Sequence, residues 1–216
     1  MEDQFNIDHD REGRLGFPEI IFGATKSTKV LRRILNSYQE NNQNALVTKM
    51  ESKKADKLFN KFPRAFYDPD SGIFILDFDE DEIIDGSIAI ISAGTSDIYI
   101  VNEVYYTLAY LGIKSERIHD VGVSGVHRLM TRIEDLKKFK VLIVVAGFEG
   151  ALPTVVGGLL PQPIIAVPTS IGYGVAKDGN VALNTMLSSC ANGITVVNID
   201  NGYGAAMAAY RILKQF

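Results

Sequence analysis

From residue 87 onward, short apolar runs alternate with stretches whose apolar positions recur at helical spacing. Residues 87–92 form a compact run rich in β-branched residues, the pattern of a strand covered on both faces. Ile98, Val101, Val104, Tyr105, Leu108 and Leu111 then mark one face of a helix. Gly112 closes it, as glycine commonly does just past a helix end. Residues 117–122 read as a second strand and 126–138 as a helix. Further strands are predicted at 141–146, 164–167 and 195–199, and helices over 181–189 and 205–213. Such alternation predicts an α/β domain whose parallel sheet is flanked by helices.

Ahead of residue 86 the pattern differs. Most charge runs lie there, including 49–57 and 77–85, whereas most glycines and the long apolar runs come later. Residues 29–40 have helical spacing and 73–76 read as a strand. The chain therefore divides into a small N-terminal α+β region, residues 1–85, and a main domain, residues 86–216.

Composition narrows the function classes. A chain of 216 residues that is 46% hydrophobic and 22% charged has ordinary globular values. A net charge of −4 with no basic block offers no bulk attraction for nucleic acid or an anionic membrane. The start MEDQFNIDHD is acidic and polar, unlike a signal peptide, and runs such as 141–146 are far too short for a bilayer. The single cysteine, Cys190, makes no intrachain disulfide, which suits a reducing cytoplasm. With three scattered histidines it leaves no ligand spacing for structural zinc. A cytoplasmic globular chain is the expectation, and an anionic small substrate would need local help from backbone amides and a few placed cations.

In an open parallel sheet, ligands bind beyond the carboxyl ends of the strands. Three such ends are rich in glycine and small polar residues: Gly94-Thr95-Ser96-Asp97, Gly147-Phe148-Glu149-Gly150, and Pro168-Thr169-Ser170-Ile171-Gly172. Each precedes a segment that could start a helix, so exposed amides and the helix dipole make a ready phosphate site. Asp97 could accept from a ribose hydroxyl. No loop matches the dinucleotide fingerprint or the P-loop, and the competing role of these Ser and Thr residues is helix capping.

Glu149, between glycines after a buried strand, is a candidate acid or base; its alternative is a cap or a solvated turn. Cys190 is either a packed thiol or a nucleophile, and a helix C-terminus just before it disfavours a thiolate without a nearby cation. His127 and Arg128 could supply that cation or bind phosphate, or form a surface pair. Asp200-Asn201-Gly202 is a turn-favouring tripeptide after the last strand.

Together these segments resemble the LarB family. Residues 16–19 (GFPE), 93–97 (AGTSD), 120–129 (DVGVSGVHRL), 146–153 (AGFEGALP), 167–174 (VPTSIGYG), 187–190 (LSSC) and 197–204 (VNIDNGYG) carry the resemblance in order along nearly the whole chain. The C-terminal part is also similar, more distantly, to the PurE-type carboxylases and mutases. The resemblance implies a pyridinium-3,5-biscarboxylic acid mononucleotide synthase, which starts nickel-pincer cofactor biosynthesis. Such an enzyme carboxylates the ring of nicotinic acid adenine dinucleotide with CO2 or bicarbonate and hydrolyses the phosphoanhydride to release AMP. It further implies Mg2+, no organic cofactor, and a PurE-like homo-oligomer such as an octamer; the apolar residues 205–210 are candidates for a subunit contact. The family's nucleophilic cysteine and assisting glutamate fall on Cys190 and Glu149. The substrate-binding set is then Gly94, Thr95, Ser96, Asp97, His127, Arg128, Gly147, Gly150, Thr169, Ser170, Gly172, Asp200 and Asn201, and Asp97, Asp120 and Asp200 are the candidate metal ligands. A PurE-type enzyme acting on aminoimidazole ribonucleotide and a non-catalytic nucleotide-binding regulator are the competing functions.

Overall fold

The computed structural model describes residues 5–78 and 84–215. Residues 1–4 of the acidic start and 79–83 of the charge run at 77–85 lie outside the described residues. The chain folds as two compact units, residues 1–82 and 83–216.

The first unit contains α1 (Arg11–Leu15), β1 (Ile21–Phe22), α2 (Thr28–Glu40), β2 (Leu46–Thr48), α3 (Ser52–Phe59), β3 (Phe66–Asp68) and β4 (Ile73–Ile75). Its four strands form a mixed sheet in the order β1-β2-β4-β3, with β1 parallel to β2 and the other pairs antiparallel. Helix α2 is amphipathic. Ser27 caps its start by accepting from the Val30 amide, and Leu31, Ile34, Leu35 and Tyr38 place the i, i+3, i+4, i+7 face in the core. Strands β1 to β3 span two or three residues each, too few to show a period of two in sequence.

The second unit begins with β5 (Ile84–Ser92) and continues with α4 (Ile98–Tyr110), β6 (Ile113–Ile118), α5 (Val126–Met130), α6 (Ile133–Leu136), β7 (Val141–Ala146), α7 (Leu152–Leu159), β8 (Ile164–Pro168), α8 (Asn180–Leu187), β9 (Ile194–Val196) and α9 (Gly202–Leu213). The sheet order is β6-β5-β7-β8-β9 and every pair is parallel. Alternate strand residues serve opposite faces. Ala89, Ile91, Leu142, Val144, Ala146, Ile164 and Ala166 join Leu129, Leu136, Leu152, Val156, Ala182 and Met186 of α5 to α8 in one core. Helices α4 and α9 pack on each other and against β5 to β8. The expected parallel sheet flanked by helices is present.

Three of the departures from the expected boundaries have a local physical cause. The strand read at 117–122 is instead Ile113–Ile118. Lys114, Glu116 and Arg117 hid it, because an edge strand with one neighbour tolerates charge along its length. The helix read over 126–138 breaks into α5 and α6, and the Thr131 hydroxyl donates to the Arg128 carbonyl at the break. Strand β9 ends at Val196 rather than 199, since Asp200 turns into the left-handed region with φ 56° and its amide donates to the Pro168 carbonyl. Residues 205–210, expected at a subunit contact, are largely buried within the unit: Ala205, Ala206 and Ala209 are fully covered. Among the described residues, no helix is long and apolar enough to cross a membrane.

Candidate active site

The chain direction across the sheet reverses at β5: β6 is laid down on one side of it and β7 on the other. At such a switch point the two connections leave in opposite directions and open a crevice at the carboxyl strand ends. A cavity of about 310 Å³ occupies that place, lined by the exits of β5 (Gly94, Ser96, Asp97), β6 (Gly122, Ser124) and β7 (Gly147, Phe148, Glu149) together with Ile171. Glycine is required where these loops meet. A Cβ on Gly122 would lie 2.7 Å from the Ala93 carbonyl, and one on Gly147 would lie 2.5 Å from Thr169 Oγ1 and 2.6 Å from the Ile171 carbonyl.

Glu149 is exposed and lines this cavity, and no side chain caps the start of α7. Its capping alternative is therefore set aside. The next residue, Gly150, has φ 64°, and a Cβ there would lie 2.7 Å from Ala182 Cα, so only a glycine lets the loop beside Glu149 pass against the first turn of α8.

Asp97 does not serve as an open ligand. It is 3% exposed; one carboxylate oxygen accepts from the Gly94 amide at 3.0 Å and the other from Thr169 Oγ1 at 2.9 Å. It ties the β5 exit to the β8 exit. Burial pushes its carboxyl above the usual carboxylate range, against the lowering effect of these two bonds, and nearby Asp200 adds repulsion. Asp200 makes a second clamp, its Oδ1 accepting from the Ser170 amide at 2.9 Å and from the Tyr99 hydroxyl. Burial, then this bond, raises the Tyr99 phenol above the ordinary tyrosine value. Two aspartates thus fix neighbouring residues of the β8 exit, Asp97 through Thr169 and Asp200 through Ser170.

The remaining expected residues fall into separate places. Thr95 is exposed beside the cavity, while Thr169 is fully buried and Gly172 sits outside the lining. Asn201 caps α9, accepting from the Gly204 amide at 2.8 Å. His127 is exposed on α5, and Arg128 folds over Gly125 to pair with Asp120 at 2.5 Å. Residues that the sequence did not single out are Tyr99, Phe148, Tyr173 and His119. His119 Nδ1 lies 3.4 Å from Ser92 Oγ, and burial followed by the charge of Arg117 holds its imidazole below the ordinary value. Tyr99 and Asp200 stand 101 residues apart, so no local pattern could have joined them.

Cys190 is exposed and follows α8. Its neighbours rest on α7: Ser189 Oγ is 2.7 Å from Thr154 Oγ1, and Ala191 Cβ is 3.1 Å from where a Gly157 Cβ would be. The thiol does not line the cavity that holds Glu149. From Ala182, which touches Gly150, the helix rise to Leu187 alone moves the chain about 7.5 Å away.

Mg2+ demands an octahedral set of oxygens and commonly rides on substrate phosphates with one or two carboxylates. Among the described residues no group of three or more His, Cys, Asp or Glu converges, and Asp97, Asp120 and Asp200 are each engaged elsewhere. The three aspartates do not fit a preformed magnesium cage.

Residues 3–78 match the model of the LarB/PurE-like N-terminal domain and residues 87–215 that of AIR carboxylase. The chain belongs to the LarB family. A protein of Methanocaldococcus jannaschii, MJ0165, is 36% identical over 222 residues, covering 99% of this chain and 86% of its own. A crystal structure of a PurE2 variant from Treponema denticola superposes with a TM-score of 0.50 at 20% identity, covering 60% of this chain and 80% of that one. That likeness gives this LarB-family chain a PurE-like α/β fold. The AIR carboxylase domain places it among carboxylases and mutases.

Proposed function

We propose that this LarB-family chain carboxylates the pyridinium ring of nicotinic acid adenine dinucleotide and hydrolyses its phosphoanhydride, releasing pyridinium-3,5-biscarboxylic acid mononucleotide and AMP. The observation that carries this reading is Glu149, an exposed carboxylate seated by Gly150 on the cavity at the sheet's switch point. A carboxylate there complements a cationic ring and can take up a proton.

The chemistry needs a nucleophile because a pyridinium carbon is electron-poor and does not attack CO2. The Cys190 thiolate adds to the ring, converting it to a neutral enamine-like system. The enamine carbon attacks CO2, forming the new carbon–carbon bond and leaving an iminium. Glu149 removes the proton from that carbon, and the thiolate departs as aromaticity returns. Water then cleaves the phosphoanhydride. Since Cys190 lies outside the cavity of its own chain, the reading requires a second copy in a PurE-like homo-oligomer to complete the site, and an exposed thiol meets that requirement.

The test is incubation with the dinucleotide, bicarbonate and Mg2+, followed by chromatography for AMP and the dicarboxylated mononucleotide. Cys190→Ala should abolish product, and intact-protein mass spectrometry should detect a ring adduct on Cys190 only with substrate present. Full activity in Cys190→Ala would refute the mechanism. A PurE-type reaction on aminoimidazole ribonucleotide is favoured by the AIR carboxylase domain alone; its electron-rich ring needs no thiol, so that activity would survive Cys190→Ala.

A further inference from the structure

We infer that Phe148 and Tyr173 form an aromatic platform, at the mouth of the Glu149 cavity, on which a flat heteroaromatic ring of the nucleotide substrate stacks; this rests on the nucleotide reading above. Phe148 is 41% exposed and Tyr173 78% exposed, large apolar rings left in water beside a cavity. Their centroids are 5.4 Å apart and their planes meet at 90°, an edge-to-face pair in which one ring's edge covers a single face of the other and the remaining faces are not taken up by the pair.

The backbone holds this arrangement. Phe148 sits at φ 52°, a conformation bulky residues rarely adopt, and its amide donates to the Ile171 carbonyl at 2.8 Å. That bond ties the β7 exit, which carries Phe148, to the β8 exit, which carries Tyr173. Core packing does not explain a strained backbone that turns a phenyl ring outward. Phe148 also lines the cavity itself, so the platform continues the cavity wall rather than standing apart from it.

Size and charge point to the occupant. About 310 Å³ is at the small end for ligand sites, room for one half of a dinucleotide and not both. The other half must leave through the mouth, where the aromatic pair stands. With the cationic ring held at the Glu149 carboxylate, the ring that reaches the platform is the adenine, which gains stacking on an aromatic face.

The chain has no tryptophan, so Phe148→Trp installs a single indole fluorophore on the platform. That variant should be titrated with nicotinic acid mononucleotide and, separately, with AMP, while the wild type and the Phe148→Ala and Tyr173→Ala variants are titrated by calorimetry. Saturable quenching of the indole emission in Phe148→Trp by one nucleotide, with affinity for it about 5- to 100-fold weaker in the alanine variants, is expected. Quenching by the mononucleotide assigns the pyridinium to the platform, and quenching by AMP assigns the adenine. Unchanged affinity in both alanine variants overturns the platform, and if light scattering shows a changed mass the rings are instead a contact between copies. Binding of neither nucleotide by the wild type would remove the nucleotide reading itself, a distinct result from wild-type binding that the alanine variants retain.

Discussion

The Asp97–Thr169 hydrogen bond joins two cavity loops through the buried interior, and its removal has a calculable effect. Thr169 is fully buried and Asp97 is 3% exposed, so water cannot replace a lost partner. In Thr169→Val, one carboxylate oxygen loses its donor at 2.9 Å, at a cost of about 1.5–3 kcal/mol for a bond to a charged acceptor. Asp97→Ala orphans two donors, the Gly94 amide and Thr169 Oγ1, for about 2–6 kcal/mol, offset by relief of a buried charge. The double variant orphans only the Gly94 amide. The cycle should therefore show a coupling of about 2.5–6 kcal/mol, with Thr169→Val lowering Tm by roughly 3–12 °C. Asp97→Asn should be milder, because its oxygen can accept from the Gly94 amide while its NH2 donates to Thr169 Oγ1. Burial raises the Asp97 carboxyl, so its contribution to stability is fullest below the ordinary value of 3.8 and is lost as pH rises through the folded value. Asp97→Asn removes that decline. Circular dichroism melts of the four proteins of the cycle, and of Asp97→Asn across pH 4–8, are the assay. Additive losses in the cycle, or an Asp97→Asn variant whose pH dependence follows the wild type, would refute this account of the clamp.

Other predictions follow from the same loops. Gly150→Ala should destabilise by about 2–5 kcal/mol and displace Glu149, since φ 64° strains an L residue and the new Cβ would meet Ala182 Cα at 2.7 Å; denaturant melts and turnover report both effects. Tyr99→Phe should cost about 1–2 kcal/mol near neutral pH. The raised Tyr99 phenol supports stability below its ordinary value near 10 and loses that support as pH rises through its folded value, so Tyr99→Phe should melt with a shallower alkaline decline than wild type. Arg128→Ala removes an ion pair whose side chains are 36% and 54% exposed, so stability should fall by under about 1 kcal/mol. If Arg128 contacts a substrate phosphate, KM should rise with kcat little changed, as steady-state kinetics would show.

Much of the architecture is written in local pattern. Strands β7 and β8 are covered on both faces and so are almost wholly apolar, which makes them visible in sequence at 141–146 and 164–167. Helix α2 was visible because it has one wet face and one dry one. The short strands β1 to β3 and the charged edge strand β6 were not, because their conformation is fixed by pairing with distant segments rather than by a period of their own. The ordered motif blocks likewise identified the loops at the carboxyl ends of the strands, and Glu149 among them, since a glycine-flanked carboxylate after a buried strand is a local signature.

What those loops do with their side chains was decided only by the tertiary fold. Asp97 and Asp200 looked like open ligands in sequence, yet each is occupied by donors from Thr169, or from Ser170 and Tyr99, brought near by strand order. A buried carboxylate must find partners wherever the fold supplies them, and sequence does not record which distant donor arrives. The same limit applies to Cys190. The sequence determined that one thiol exists beside a helix end; the fold determined that it is exposed, between neighbours that rest on α7, and outside the lining of the cavity that holds Glu149. Reactivity depends on what stands within a few ångströms, and that distance is a property of packing.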